Sequence, residues 1–172
     1  LTAAQLADRH YERSLTRAFG EAHRVLADGG VLTVMFTHKR IDAWDTLGTA
    51  LLEAGFSVGS SWPAYTESEH SSHQVNKNSA ASTIFLTCRK RESSEPAYWQ
   101  DIKGEVAEAA RRAATEFAAW GLNGIDLTLA TFGPVLSVLS EHWPVHTGEL
   151  REDNTPRVLR PDVALDLARE RE

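Results

Sequence analysis

Residues 24–39, RVLADGGVLTVMFTHK, constrain this chain more than any other stretch. They read as the end of a helix, a Gly-Gly turn, and a strand that stops at a small polar and basic cluster. Val31, Leu32, Val34, Met35 and Phe36 are apolar at both alternating positions, and a strand covered on both faces belongs inside a layered α/β sheet. In such sheets the chemistry gathers beyond the carboxyl ends of the strands, so Thr37, His38 and Lys39 mark the expected working edge.

The flanking periodicities supply the other elements. Leu6, Tyr11, Leu15, Ala18, Phe19, Ala22, Val25 and Leu26 predict a helix from Thr2 to Leu26 with one buried face, stopped by Asp28-Gly29-Gly30. A second amphipathic helix is expected over Ile41–Ala54, started by Asp42, with Trp44, Leu47, Leu51 and Leu52 facing inward. Phe56–Trp62 reads as a second strand, interrupted by Gly59, ended by Pro63 and parallel to the first by a right-handed crossover. The polar stretch Tyr65–Ala81 is longer than a connection needs, and Ser82–Cys88 is a third strand ending in Arg89-Lys90-Arg91.

A linker, residues 93–96, separates an α/β part (1–92) from a tail (97–172) that reads as helical. The expected helices are Ala97–Ala119, Ile125–Trp143 bent or divided at Gly133-Pro134, and Pro161–Arg171. Gly148–Arg160 is expected as a polar, extended crossing. Charge divides at the same linker: ten Lys and Arg face ten Asp and Glu through Glu92, against eight and fourteen beyond it. A globally acidic chain is a poor non-specific nucleic-acid binder, whereas a neutral first part with a basic edge is compatible with one. The absence of a membrane-length apolar run, and of a signal-like start, leads us to expect a soluble, cytoplasmic protein. The first residue is not methionine, which suggests a piece of something longer. The single cysteine, Cys88, excludes an internal disulfide and a cysteine-only zinc site.

The order helix, strand, helix, strand, long loop, strand folds economically if the third strand inserts antiparallel beside the first two. Residues 37–40, 62–67 and 73–81 then converge on one rim, and the CRKR cluster points away from it.

The run YERSLTRAFGEAHRVLADGGVLTVMFTHK, followed by AWDTLGTALLEAGFSV, SWPAYTE, ASTIFLTCRKR and GIDLTLATFGPVLSVLSEHWPV, resembles the last third of S-adenosylmethionine-dependent methyltransferases. More narrowly, it resembles the adenine-specific DNA methylases whose full-length members carry a zinc ribbon. The resemblance implies the C-terminal half of a Rossmann-like class I methyltransferase sheet, three strands with the last antiparallel, plus an α-helical appendage. It also implies a parent that binds S-adenosylmethionine, extrudes adenine from DNA and methylates its amino nitrogen. The family's glycine-rich turn after its first strand is missing here, as are its Asp-Pro-Pro-Tyr-like tetrapeptide and its zinc-ribbon cysteines. The chain alone is therefore expected to hold no catalytic residue, to bind neither cofactor nor metal, and to pair with a complementary N-terminal segment or with itself. The competing reading is a non-catalytic partner-binding or regulatory module derived from such a methylase.

Candidate residues on the DNA side follow from the rim. His38 and Lys39 line a base pocket or contact a phosphate, or else are an exposed strand end. Thr37 adjoins them. Trp62, Thr66 and Glu67 contact the target strand or form an ordinary turn. Asn76 and Asn78 pair with a base edge or satisfy local turns. His70 and His73 lack the carboxylates or cysteines of a metal site. Trp44 and Trp120 read as packing anchors, Cys88 as a buried apolar residue, and His142 and His146 as surface histidines.

Overall fold

The structure, a computed structural model of the chain, describes residues 2–65 and 82–169. Among these residues it is a mixed α/β arrangement of five helices and two three-stranded sheets. Helix α1 (Ala3–Val25) starts at Thr2, whose hydroxyl accepts from the Gln5 amide at 3.2 Å while the Gln5 side chain accepts from the Thr2 amide at 2.9 Å. This reciprocal cap satisfies two of the donors that a helix start leaves unpaired. Leu15, Phe19 and Ala22 turn one face of α1 toward the core, and Gly29 takes up the positive φ of 73° that the turn into the first strand requires.

Strands β1 (Leu32–Phe36), β2 (Phe56–Tyr65) and β3 (Ser82–Lys90) form the first sheet in the order β1-β3-β2, with β3 antiparallel to both neighbours. The reversed insertion expected from the element order is thus present: Leu32 faces Cys88, Phe36 faces Ile84 and Tyr65 faces Ser82. β2 runs on through Pro63, past the expected end at Trp62. It is an edge strand, where a missing backbone donor costs no ladder bond. The Gly59 interruption is a bulge between Val58 and Ser61.

Helices α2 (Ile41–Glu53) and α4 (Gly124–Glu141) cover one face of this sheet, where Phe56, Val58, Ile84, Leu86 and Cys88 are buried. Burial pushes the Cys88 thiol up to about 12. The opposite face is open, with Met35 60% and Trp62 40% exposed. The expectation that the first strand is covered on both faces is therefore corrected: α1 packs on α2, not across the sheet. Asp42 also differs from its expected capping role. Arg40 is the cap residue, and Asp42 sits inside the first turn, where it pairs with Arg40 and accepts from the Ala43 amide at 2.9 Å.

Close contacts between layers rest on two glycines. A Cβ on Gly48 would lie 2.8 Å from Leu136 Cδ2, and one on Gly133 would lie 2.0 Å from Ser61 Oγ. Of the two expected outcomes at Gly133-Pro134, a bent helix or a divided one, division does not occur: α4 runs as one helix through Pro134. The ring removes a single backbone donor, and Gly133 lets the helix press on the β2 bulge.

The tail differs most from expectation. Ala97–Tyr98 is a strand, β4, preceding helix α3 (Trp99–Ala119). The expected crossing holds β5 (Val145–Leu150) and β6 (Pro156–Val158), before helix α5 (Pro161–Arg169). β4 pairs parallel with β5, and β5 pairs antiparallel with β6, so the appendage is not purely helical. These strands are short, and the partner of β4 lies far away in sequence, which leaves little periodic signal to read. Trp120, expected as an anchor, is 58% exposed, whereas Trp44 is fully buried. One hydrophobic cluster draws on both sides of residues 93–96, joining Trp44, Leu51 and Ile84 to Ile102, Leu136 and Leu165. No helix among the described residues is long and apolar enough to cross a membrane.

Candidate functional site

The reversed β3 brings the ends of β1 and β2 and its own beginning to one rim. The Thr37 hydroxyl donates to the Ser82 carbonyl at 3.0 Å and lies 2.9 Å from the Thr83 hydroxyl. Ser82 in turn donates its amide to Asp126 Oδ1 at 2.8 Å, in the first turn of α4. Strand ends and a helix start are thereby tied together by polar contacts, as the burial of Ser82 at 1% exposure requires.

His38 is held on two sides. Its carbonyl accepts from Trp44 Nε1 at 2.7 Å, and its Nδ1 accepts from the Arg40 amide at 3.1 Å. The second contact uses Nδ1 as an acceptor, which leaves Nε2 as the ring nitrogen able to donate. Its ring also stacks on Phe36, with centroids 6.5 Å apart. Lys39 is exposed, with no hydrogen bond or ion pair among the described residues. Thr37, His38 and Lys39 are therefore neighbours at the end of β1.

Trp62 lies on the open face two strands away. Its ring is nearly parallel to that of Phe85 (5.7 Å, 3°), and Met35 completes the cross-strand row. No strand residue on this face carries a carboxylate: Thr33, Thr83, Thr87, Ser57 and Arg89 flank the apolar row. Thr66, Glu67, Asn76 and Asn78, together with His70 and His73, lie outside the described residues.

Beneath the rim, a cavity of about 600 Å³ opens between the starts of α1 and α2, lined by Tyr11, Glu12, His38, Arg40, Asp45 and Arg160 among others. Arg160 donates from Nη2 to Glu12 at 2.7 Å and to Asp45 at 2.5 Å, and from Nε to Asp45 at 2.8 Å. The Asp162 amide donates to the other Asp45 oxygen at 3.0 Å. Burial raises the Asp45 carboxyl above its ordinary value, outweighing the guanidinium beside it, while Glu12 and Asp45 hold Arg160 firmly charged. Sequence reading missed this network. Arg160 stands in a polar stretch 115 residues from Asp45, and no spacing links the two.

The CRKR cluster sits at the opposite edge, as expected, and its cations serve the chain itself. Arg89 donates to the Gly29 carbonyl at 2.6 Å, and Arg91 donates to the carbonyls of Phe56 and Leu52 at 2.8 and 3.0 Å. Lys90 approaches Asp28 at 3.8 Å. Burial lowers the pKa of Arg91. Elsewhere, Glu105, Glu141 and His142 place ligand-type atoms within 4.8 Å of one another. His142 Nε2 lies 3.1 Å from Glu105, and this histidine–carboxylate pair accounts for the grouping without an ion.

No family model, curated protein or solved structure matches this chain. The fold and rim define a mixed α/β protein whose first sheet carries a reversed strand between two parallel ones.

Proposed function

We propose that this chain is the C-terminal portion of an S-adenosylmethionine-dependent DNA adenine methyltransferase, inactive by itself. The observation that carries this reading is the first sheet, in which β3 lies reversed between β1 and β2 while the outer edge of β1 is unpaired among the described residues. A parallel strand added at that edge would extend the sheet toward the glycine-rich turn and the Asp-Pro-Pro-Tyr-like motif absent here. The open face supports the same reading, because a central row of Met35, Phe85 and Trp62 without carboxylates suits burial under further protein.

In the complete protein Thr37, His38 and Lys39 would lie on the DNA side of the rim, with His38 Nε2 and the Lys39 ammonium as donors, while Trp62 would belong to the covered row. S-adenosylmethionine would be held by the complementary part. Transfer to the adenine amino group then depends mainly on positioning donor and acceptor in line.

Two measurements test this. Titration of the chain alone with S-adenosylmethionine should give no saturable heat, and tight binding overturns the claim that the cofactor site is elsewhere. Co-expression with the segment encoded directly upstream, if that segment carries the two missing motifs, should give a stable complex that methylates adenine in DNA. An upstream sequence without either motif overturns the reading.

A further inference from the structure

We propose that the outward face of α1 binds the phosphate backbone of duplex DNA through a stripe of Arg9, Arg13 and Arg17. The three lie four residues apart, a spacing that sets side chains one above another along a helix. All three are exposed, and none makes a hydrogen bond or ion pair among the described residues. Like charges at this spacing repel and weaken a helix, so the fold itself gains nothing from the arrangement.

The carboxylates of α1 are engaged elsewhere. Glu12 is held by Arg160 at 2.7 Å, and Glu21 by Arg24 at 2.8 Å. Asp8 lines the cavity that also holds His38 and Arg40. Leu15, Phe19 and Ala22 pack on the core from the other side of the helix. The cations at the far edge of the sheet are in a different position, because Arg89 and Arg91 are occupied by backbone carbonyls of the chain itself.

A row of cations on one helix complements a row of phosphates. Four residues of helix rise about 6 Å, so the stripe covers about 12 Å, and each DNA strand carries one charge per roughly 3.4 Å of its axis. The planar guanidinium also matches two phosphate oxygens at once. An anionic bilayer fits less well, since the apolar face that a surface helix would insert is already packed on the core. The choice of DNA rests on the function proposed above, and the location agrees with it. Asp8, Tyr11 and Glu12 share their cavity with His38 and Arg40, so the stripe begins at the rim end of α1.

The test is fluorescence anisotropy of the full chain with a labelled DNA duplex of about 20 base pairs, in salt from about 50 to 200 mM. Wild type should bind, and more weakly as salt rises. The triple variant Arg9→Gln, Arg13→Gln, Arg17→Gln keeps good helix formers and should retain its helical circular dichroism. It should bind at least about tenfold more weakly at the lowest salt, with a log–log salt slope flatter by about 2–3, at roughly 0.9 per phosphate contact. A control variant, Lys103→Gln, Arg112→Gln, Arg151→Gln, removes the same charge from the tail and should keep the wild-type slope. No salt-dependent binding by wild type, an unchanged slope in the α1 variant, an equal loss in the control, or tighter binding to phosphatidylserine vesicles than to DNA would overturn the proposal. None of these results touches the two missing motifs, whereas an upstream sequence without them removes the methylase reading and leaves the slope to report on the stripe.

Discussion

At the scale of single residues, buried charge and close approach decide the outcome. Asp45 is 10% exposed at its side chain and depends on Arg160, which is 47% exposed. Arg160→Ala should destabilise the chain by about 2–3 kcal/mol in urea denaturation, less than the roughly 3–5 of a fully buried pair, because water reaches the guanidinium. A loss within experimental error would show that Asp45 is solvated without its partner. Asp45 also predicts a pH dependence. Its folded pKa is raised above 3.8, so the protonated form favours the fold, and this contribution is full below 3.8 and lost as pH rises through the folded value. Asp45→Asn removes that titration, so wild type should compare more favourably with the variant in acid than at neutral pH. Denaturation curves at the two pH values check the sign. Gly133 offers the steric counterpart: Gly133→Ala places a methyl 2.0 Å from Ser61 Oγ and should cost about 1–3 kcal/mol or more. Adding Ser61→Gly should recover much of that loss, and an uncorrected double variant would place the clash elsewhere.

At the scale of elements, the β2 bulge and α4 form one unit. The Val58 amide at the bulge donates to Ser140 Oγ at 3.0 Å, and Ser140 donates in turn to the Ser137 carbonyl at 2.7 Å. Ser137 reaches the Gly59 carbonyl at 3.4 Å. A ladder interrupted by a bulge leaves backbone groups unpaired, and here helix serines take them up. Ser140→Ala should leave a buried amide without an acceptor and cost about 1–3 kcal/mol, measured by denaturant midpoint. Faster hydrogen exchange confined to residues 57–60 would locate the defect at the bulge; unchanged exchange there would argue against this account. The edge of β1 carries the other prediction at this scale. Neither a proline nor a charge within Leu32–Phe36 protects it, and Met35 is exposed beside it. The wild-type chain should therefore self-associate in light scattering, and Met35→Lys should shift it toward monomer. A wild-type monomer at all concentrations would remove the argument from the edge.

At the scale of the whole molecule, the legible and the illegible divide by the range of the interactions involved. The three strands of the first sheet, the turn at Gly29 and the inward faces of α2 could be read because each is written in a local pattern, alternation or a helical repeat, along its own segment. Even the reversal of β3 follows from connectivity, since a chain that must return to the same sheet has few economical paths. The rim residues Thr37, His38 and Lys39 could be placed for that reason, as the end of a strand read correctly. Which sheet face stays open, which arginine meets Asp45, how Ala97 finds Val145 and whether α4 survives Pro134 were settled only when distant segments packed. In each case the deciding free energy comes from partners remote in sequence: a helix that chooses α2 over the sheet, a carboxylate that burial would leave bare, a short polar strand stabilised only by its neighbour.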